Sequence, residues 1–255
     1  MTDTNNNIQK IDWLPNKKYY EYAYHKFFNP SVKYEEWQPW DQWDYPDRDI
    51  ERFGAIIKDN KKFISNKTIL DIGCHLGYLS LFCLHNNAKH VIGTNVRDNE
   101  LEIANEICHN AGYTSYEFKY QDLYNLKELK NLCDTVDTVI LSGVLYHVHN
   151  HYDLLECIFS SSAENVIIET NLSPLEMGEN AKHPCIFWNF EESSEPTAGW
   201  YKNKEKIFTG CPNSRWIKDI FNHFGIDIEY FNKIEYTNDK EKLRKRLIIT
   251  GTKNI

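Results

Sequence analysis

Short apolar runs alternate with segments of helical spacing through the middle of the chain. An apolar run over 67–71 leads through two glycines into 78–84, whose apolar residues have helical spacing. Further strands are predicted at 90–95, 115–120, 137–147 and 165–170, and helices at 99–111 and 152–162. The run at 137–147 is apolar enough for a strand buried on both faces. Strands separated by helices predict βαβ units around a parallel sheet, and hence an α/β fold.

The turn after the first predicted strand is the most informative stretch. It reads Asp71-Ile72-Gly73-Cys74-His75-Leu76-Gly77 and leads directly into the predicted helix. In α/β proteins, a strand followed by a glycine turn and a helix brings backbone close to a nucleotide-like ligand. An ordinary strand-to-helix turn also uses glycine, so the two glycines alone leave both interpretations open.

Taken together, these segments resemble the seven-stranded, class I S-adenosylmethionine-dependent methyltransferases over about residues 60–252. The resemblance rests on the glycine turn, on Gly93-Thr94-Asn95 and on the strand that reaches His147. It implies a Rossmann-like, seven-stranded, mostly parallel sheet sandwiched by helices, with S-adenosyl-L-methionine as the cofactor. His75 stands where the family usually has its middle glycine, and Asn95 where it usually has an acidic residue.

The resemblance also implies a set of cofactor-binding residues at the strand ends. They are Asp71, Gly73, His75, Gly77, Asn95, Asp98, Asp122, Ser142 and Tyr146. Asn95 would hold the ribose hydroxyls, with Asp98 as the alternative, and Asp122 falls where the family places an acidic residue near the adenine amino group. Tyr146 and His147 fall at the mouth of the site as catalytic candidates. His147 is the candidate general base, since an unperturbed histidine titrates near neutral pH.

Three functions remain open from the sequence. Gly143-Val144-Leu145-Tyr146-His147, with Ile168-Glu169-Thr170 and residues 211–218, resembles the group that modifies the wobble uridine of tRNA by carboxymethyl transfer. However, the net charge is −8, whereas RNA-binding proteins usually carry a basic excess. The charge therefore favours a small-molecule acceptor, with tRNA as the alternative. The third is a non-catalytic domain that binds a nucleotide or a partner.

Two regions fall outside the predicted core. Residues 1–58 are expected to form an aromatic extension, and residues 59–255 the methyltransferase domain. Within the extension, 17–28 could be a helix, and the aromatic stretch 37–45 is expected to close over the methyl group as a lid. Structural cover of the sheet and base stacking are the alternatives. The long connection over 173–212 is expected to act as an acceptor lid.

No metal site or disulfide is predicted. The seven cysteines are widely spaced and include no Cys-x-x-Cys pair, which argues against disulfides and structural zinc. The run His147-Val148-His149-Asn150-His151 has no acidic partner at metal-binding spacing. There is no signal-peptide pattern, and the longest apolar stretch is too short to span a membrane. We therefore expect a cytoplasmic protein without a membrane partner, and the sequence leaves the oligomeric state open.

Overall fold

The computed structural model describes residues 15–16, 18–28, 45–174, 176, 182–192, 206–237 and 243–253. Its strands are β1 (Thr68–Ile72), β2 (His90–Asn95), β3 (Tyr116–Tyr120), β4 (Thr138–Ser142), β5 (Asn165–Asn171), β6 (Ile186–Glu192), β7 (Lys206–Pro212), β8 (Ile226–Thr237) and β9 (Leu243–Lys253). Its helices are α1 (Lys18–Phe28), α2 (Tyr45–Asp59), α3 (Tyr78–His85), α4 (Asp98–Asn110), α5 (Leu126–Cys133), α6 (His151–Phe159) and α7 (Ser214–His223). Short 3-10 turns cover Lys61–Phe63 and Leu145–His147.

Seven strands form one sheet in the order β3-β2-β1-β4-β5-β9-β8. Strands β1 to β5 pair in parallel, while β9 runs antiparallel to both β5 and β8. The predicted seven-stranded, mostly parallel α/β fold is therefore confirmed. From β1 to β3, successive strands are added towards one edge of the sheet. From β4 onwards, strands are added towards the other edge. Ligands in open parallel sheets bind at this change of direction, beyond the carboxyl ends of the strands.

Both faces of the sheet are buried, because the side chains of successive strand residues point to opposite faces. Leu70 and Ile72 of β1 pack into the core that contains Leu154 of α6. Ile69, the residue before Leu70, packs into the second core, which contains Phe82 of α3. Burial on both faces explains why these strands are nearly continuous apolar runs rather than alternating patterns.

The fourth strand is shorter than the sequence predicts. The predicted strand over 137–147 ends at Ser142, because Gly143 adopts a positive φ of 73° that extended backbone does not allow. The chain then forms the 3-10 turn Leu145–His147. Tyr146 and His147 therefore lie on a turn beyond the strand, where their side chains are not constrained to alternate across the sheet.

The described parts of the N-terminal extension pack on the body of the fold. Helix α1 lies against α4, where the Tyr22 hydroxyl donates to Glu106 Oε2 over 2.9 Å and Lys26 pairs with the same carboxylate. Helix α2 buries Phe53 against Phe82 of α3, with the ring centroids 5.6 Å apart. The predicted lid over 37–45 lies outside the described residues except for Tyr45, which begins α2. Helix α2 runs through position 58. The domain boundary predicted there stays a prediction.

Candidate functional site

A cavity of about 360 Å³ lies at the carboxyl ends of β1, β2 and β4. This volume is typical of small-molecule sites in proteins. Eight of the residues predicted for the site line it: Asp71, Gly73, His75, Asn95, Asp122, Ser142, Tyr146 and His147. Gly77 and Asp98 do not line it. The structure thus brings together residues that are up to 76 positions apart in the chain, between Asp71 and His147.

The glycine turn between β1 and α3 is built from left-handed backbone. Gly73, His75 and Gly77 have φ values of 71°, 50° and 78°. His75 therefore adopts the conformation that favours glycine, at a cost of about 1–2 kcal/mol. A Cβ at Gly73 would lie 2.3 Å from Val144 Cγ2, so only glycine allows this approach to the turn after β4.

Gly77 has a packing role, and its predicted role in cofactor binding stays a prediction. A Cβ at this position would lie 2.6 Å from Ala104 Cβ and 3.0 Å from Ala104 Cα. The close approach is therefore to helix α4, and protein packing requires the glycine whether or not a ligand is bound.

Asp71 ends β1 beneath the turn and is almost completely buried. Its Oδ2 accepts a 2.6 Å hydrogen bond from Ser80 Oγ on α3. Burial raises the pKa of Asp71 to about 6, although the hydrogen bonds from Ser80 partly oppose this. A buried carboxylate at a strand end, held against the helix that follows, is costly to fold and suits a binding site better than a core.

A second buried carboxylate, which the sequence patterns did not identify, lies at the end of β2. Glu100, in the first turn of α4, is fully buried and lines the cavity. It accepts a 2.5 Å hydrogen bond from Asn95 Nδ2 and pairs with Arg97, and His75 Nε2 lies 3.9 Å from its Oε1. Asp98 is exposed, whereas Glu100, two positions later, points back at the strand end. In the sequence, Glu100 falls at the beginning of the helix predicted after β2. This position is the signal that could have identified it as a site residue.

The loop after β3 closes another side of the cavity. Asp122 Oδ1 accepts from the Tyr124 amide over 3.0 Å, which fixes the turn. The Tyr124 hydroxyl lies 3.1 Å from His149 Nδ1, and the two rings stack with centroids 5.2 Å apart. This contact joins the loop after β3 to the loop after β4. Gln121 lines the cavity but is only 2% exposed.

At the end of β5, a buried ion-pair cluster supports the other side of the cavity. Glu169 is fully buried and accepts hydrogen bonds from Ser142 Oγ at 3.0 Å, Arg52 Nη2 at 2.8 Å and Arg246 Nη2 at 2.8 Å. Burial alone would raise the pKa of Glu169, but the two guanidinium groups lower it to about 2. Glu169 is therefore ionised at neutral pH. Arg52 lines the cavity, which makes helix α2 of the extension part of the site.

Tyr146 and His147 lie side by side on the turn after β4, with ring centroids 4.1 Å apart. Burial, together with the nearby Arg246 and Arg97, lowers the pKa of His147 to about 4. His147 is therefore neutral at pH 7, and its basicity is poorly matched to proton removal at that pH. Among the described residues, its buried Nδ1 has no hydrogen-bond partner. A ligand could therefore bond to this nitrogen.

Strands β6 and β7 form a separate hairpin beside this turn, within the connection predicted as an acceptor lid. His151 Nε2 lies 2.8 Å from the Gly210 carbonyl oxygen of β7 and so ties the hairpin to the start of α6. Trp188 and Phe208 stack with centroids 4.8 Å apart, and Phe190 is 63% exposed. The role of this connection as a lid stays a prediction.

Comparisons with known proteins agree with this geometry. Residues 64–188 match the model of the family described as "Methyltransferase domain". Over 67 residues, the chain is 37% identical to protein arginine N-methyltransferase 1 of Saccharomyces cerevisiae, a match that covers 26% of this chain and 19% of the yeast enzyme. The chain thus spans about a fifth of the length of that relative.

Solved structures share the fold along most of the chain. The N-terminal domain of EvdMO1, crystallised in the presence of SAH (S-adenosylhomocysteine) and D-fucose, has a TM-score of 0.61 at 17% identity, with coverage of 95% of this chain and 99% of that one. Magnesium protoporphyrin IX methyltransferase from Synechocystis PCC 6803, with bound SAH, has a TM-score of 0.58 at 16% identity, with coverage of 84% and 90%. Residues 64–188 thus match a methyltransferase domain, and the fold of the chain is the one that these methyltransferase structures share.

The residues of the cavity fit S-adenosylmethionine, the cofactor that the sequence resemblance implies. The cavity has a glycine turn that allows the close approach of backbone and the Asn95–Glu100 pair that can bind hydroxyls. It also has buried polar atoms on Gln121 and His147 without partners among the described residues. No group of three or more His, Cys, Asp or Glu side chains in the described ranges could hold a metal ion. No helix in the described part of the chain is long and apolar enough to cross a membrane.

Proposed function

We propose that the protein transfers the methyl group of S-adenosylmethionine to a small-molecule acceptor. The observation that carries this proposal is the cavity at the β1–β4 change of direction, where the glycine turn, the Asn95–Glu100 pair and the Tyr146–His147 turn meet. Bound S-adenosylmethionine supplies an electrophilic methyl carbon, so the residues of the chain mainly have to bind and align the two substrates.

We assign each part of the cofactor to the end of a particular strand. Asn95 and Glu100 at the end of β2 bind the ribose hydroxyls, because a buried carboxylate and an amide can together accept and donate hydrogen bonds. The loop after β3 takes the adenine. The glycine turn and Ser142 take the methionine part, which directs the methyl group towards Tyr146 and His147.

His147 aligns the acceptor rather than removing its proton. Its ring is neutral at pH 7 because burial and the two arginines lower its pKa to about 4, and its Nδ1 has no partner among the described residues. A neutral ring nitrogen without a partner can bond to a hydroxyl or amine of the acceptor. We therefore expect an acceptor that reacts without strong base catalysis, and the general-base role proposed from the sequence is less favoured.

Two observations favour a small acceptor. The net charge of −8 disfavours the phosphate backbone of RNA. The magnesium protoporphyrin IX enzyme, which shares the fold over 84% of this chain, is named for a small-molecule substrate. Transfer to tRNA is the second candidate, and the exposed aromatic side chains of the β6–β7 hairpin favour it, because aromatic side chains can stack on bases.

The experiment follows the destination of the methyl group. The full-length protein is incubated with methyl-labelled S-adenosylmethionine and an RNA-depleted small-molecule extract, or with purified total tRNA. We expect label in a low-molecular-weight product and none in the tRNA. The Gly73→Val variant is the control, since its side chain would collide with Val144 and block the turn. Label in tRNA would reject the small-molecule acceptor. Failure of the wild type to bind SAH in calorimetry would reject the proposal as a whole.

A further inference from the structure

Gln121 follows directly after β3 and lines the cavity, yet its side chain is almost completely buried. Its Nε2 donates to the Asp122 carbonyl oxygen over 2.7 Å and to the Asn125 carbonyl oxygen over 3.3 Å. Both partners only accept hydrogen bonds, so the opposite orientation of the amide would set oxygen against oxygen. The hydrogen bonds therefore fix which end of the amide carries the oxygen.

The other end of this amide is unsatisfied. Within the described part of the chain, Gln121 Oε1 is buried and has no hydrogen-bond partner. Buried acceptors in folded proteins nearly always have a donor, and leaving one without a partner is costly. Because the residue lines the cavity, a donor on a bound ligand is the partner that its position allows.

The sheet order indicates which part of the ligand reaches this oxygen. In the order β3-β2-β1, a ligand that lies over the glycine turn after β1 and places its ribose at the end of β2 extends its base towards the end of β3. The surrounding lining is apolar at Val96, Leu123 and Val148, as suits the faces of a flat ring. The exocyclic amino group is the only donor on the adenine ring.

We propose that Gln121 Oε1 accepts a hydrogen bond from the 6-amino group of adenine and is the residue that distinguishes adenine from other purines. The proposal rests on the proposed function for its ligand. It differs from the sequence-based expectation that Asp122 is nearest to this amino group. Asp122 Oδ1 accepts from the Tyr124 amide over 3.0 Å, so this carboxylate helps to shape the loop that holds Gln121.

The test compares two ligands that differ by one donor. Calorimetry on the full chain measures the affinities for S-adenosylhomocysteine and for its analogue that lacks only the 6-amino group. We expect the wild type to bind the analogue about tenfold more weakly, as for a buried acceptor that loses its donor. Wild-type affinities within about twofold of each other would overturn the proposal. Binding of neither ligand would instead reject the proposed function itself.

Two variants test which residue distinguishes S-adenosylhomocysteine from the analogue that lacks the 6-amino group. Gln121→Met keeps the length of the side chain but removes the acceptor, so the ratio of the two affinities should fall to about one while the analogue still binds. Asp122→Ala removes both carboxylate oxygens and should retain the roughly tenfold ratio. If Gln121→Met weakens both ligands equally, Gln121 only holds the loop and the proposal fails.

Loss of the ratio in Asp122→Ala would also overturn the proposal, because Asp122 would then recognise the amino group. The ratio of affinities is unaffected by any uniform loosening of the pocket. If Gln121→Met does not fold, the wild-type ratio and the Asp122→Ala ratio still decide between the two residues.

Discussion

Asp71 allows a test of whether a residue of the site lowers the stability of the folded protein. Burial raises its pKa from 3.8 to about 6. A carboxylate whose folded pKa is raised contributes stability that is fully present below pH 3.8 and is lost as the pH rises through about 6. The shift is about two pKa units, and each unit corresponds to about 1.4 kcal/mol, so the ionised Asp71 side chain costs about 3 kcal/mol at pH 7.

The Asp71→Asn variant removes this cost, because the amide is neutral at every pH and can still accept from Ser80 Oγ. We expect the variant to be more stable than the wild type by about 1–3 kcal/mol at pH 8, with the lower figure if the weaker hydrogen bond offsets part of the gain. The advantage should shrink as the pH falls through 6 and vanish near pH 4. Urea unfolding at several pH values measures the difference.

In a matched control, Asp134, the contribution of the carboxylate to stability depends on pH with the opposite sign. The pKa of the exposed Asp134 is lowered, mainly by the hydrogen bond that it accepts from the Ser162 amide at 2.7 Å. Its contribution to stability is present at neutral pH and lost in acid, so Asp134→Asn should destabilise most at pH 8. An Asp71→Asn variant that is less stable than the wild type at pH 8, or whose advantage does not change with pH, would refute the reasoning. We also expect this variant to bind S-adenosylhomocysteine more weakly.

Three further predictions concern the cavity and the glycine turn. Glu100→Gln should weaken S-adenosylhomocysteine binding by about 1.5–3 kcal/mol, the range for hydrogen bonds to charged groups, while Asp98→Asn should change little; equal effects in calorimetry would show that Glu100 is not the ribose ligand. Gly77→Ala should destabilise the ligand-free protein by about 1–3 kcal/mol, because its Cβ would lie 2.6 Å from Ala104 Cβ and its φ is 78°; an unchanged urea midpoint would contradict the packing role. Tyr124→Phe should weaken S-adenosylhomocysteine binding several-fold by releasing the loop from His149. The control, Tyr113→Phe, removes a tyrosine–histidine contact of the same 3.1 Å length, to His85 at the C-terminal end of α3, and should leave binding unchanged.

The parts of the site that the sequence predicted are those set by local pattern. Asp71, Asn95 and Ser142 each stand at the end of an apolar run, and the ends of neighbouring parallel strands meet at one edge of the sheet. Their approach therefore follows from the fold class alone. The apolar pattern predicts a strand where the turn that carries His147 lies, because an apolar run does not reveal where a glycine turns the backbone.

The residues that the sequence missed depend on contacts between distant segments. Arg52 meets Glu169 across 117 positions of sequence, and nothing in the local pattern of either residue indicates the pairing. Gln121 is polar and follows an amphipathic strand, so its burial depends on how the loop after β3 folds back. Hydrogen-bond satisfaction at a given side-chain atom can be assessed only once both partners have positions, and so this class of site residue required the structure.

The two departures from the family motif bear on whether the site is competent. The middle position of the glycine turn needs left-handed backbone, and His75 supplies it with a φ of 50°. The end of β2 usually supplies a carboxylate, and here Glu100 brings one to Asn95 from one turn into α4, at 2.5 Å. Both physical requirements are therefore met by other residues. A domain that had lost its cofactor would have no reason to keep a strained histidine and a fully buried glutamate at the same cavity, since each lowers its stability. This argument favours a domain that binds its cofactor over one that has only kept the fold.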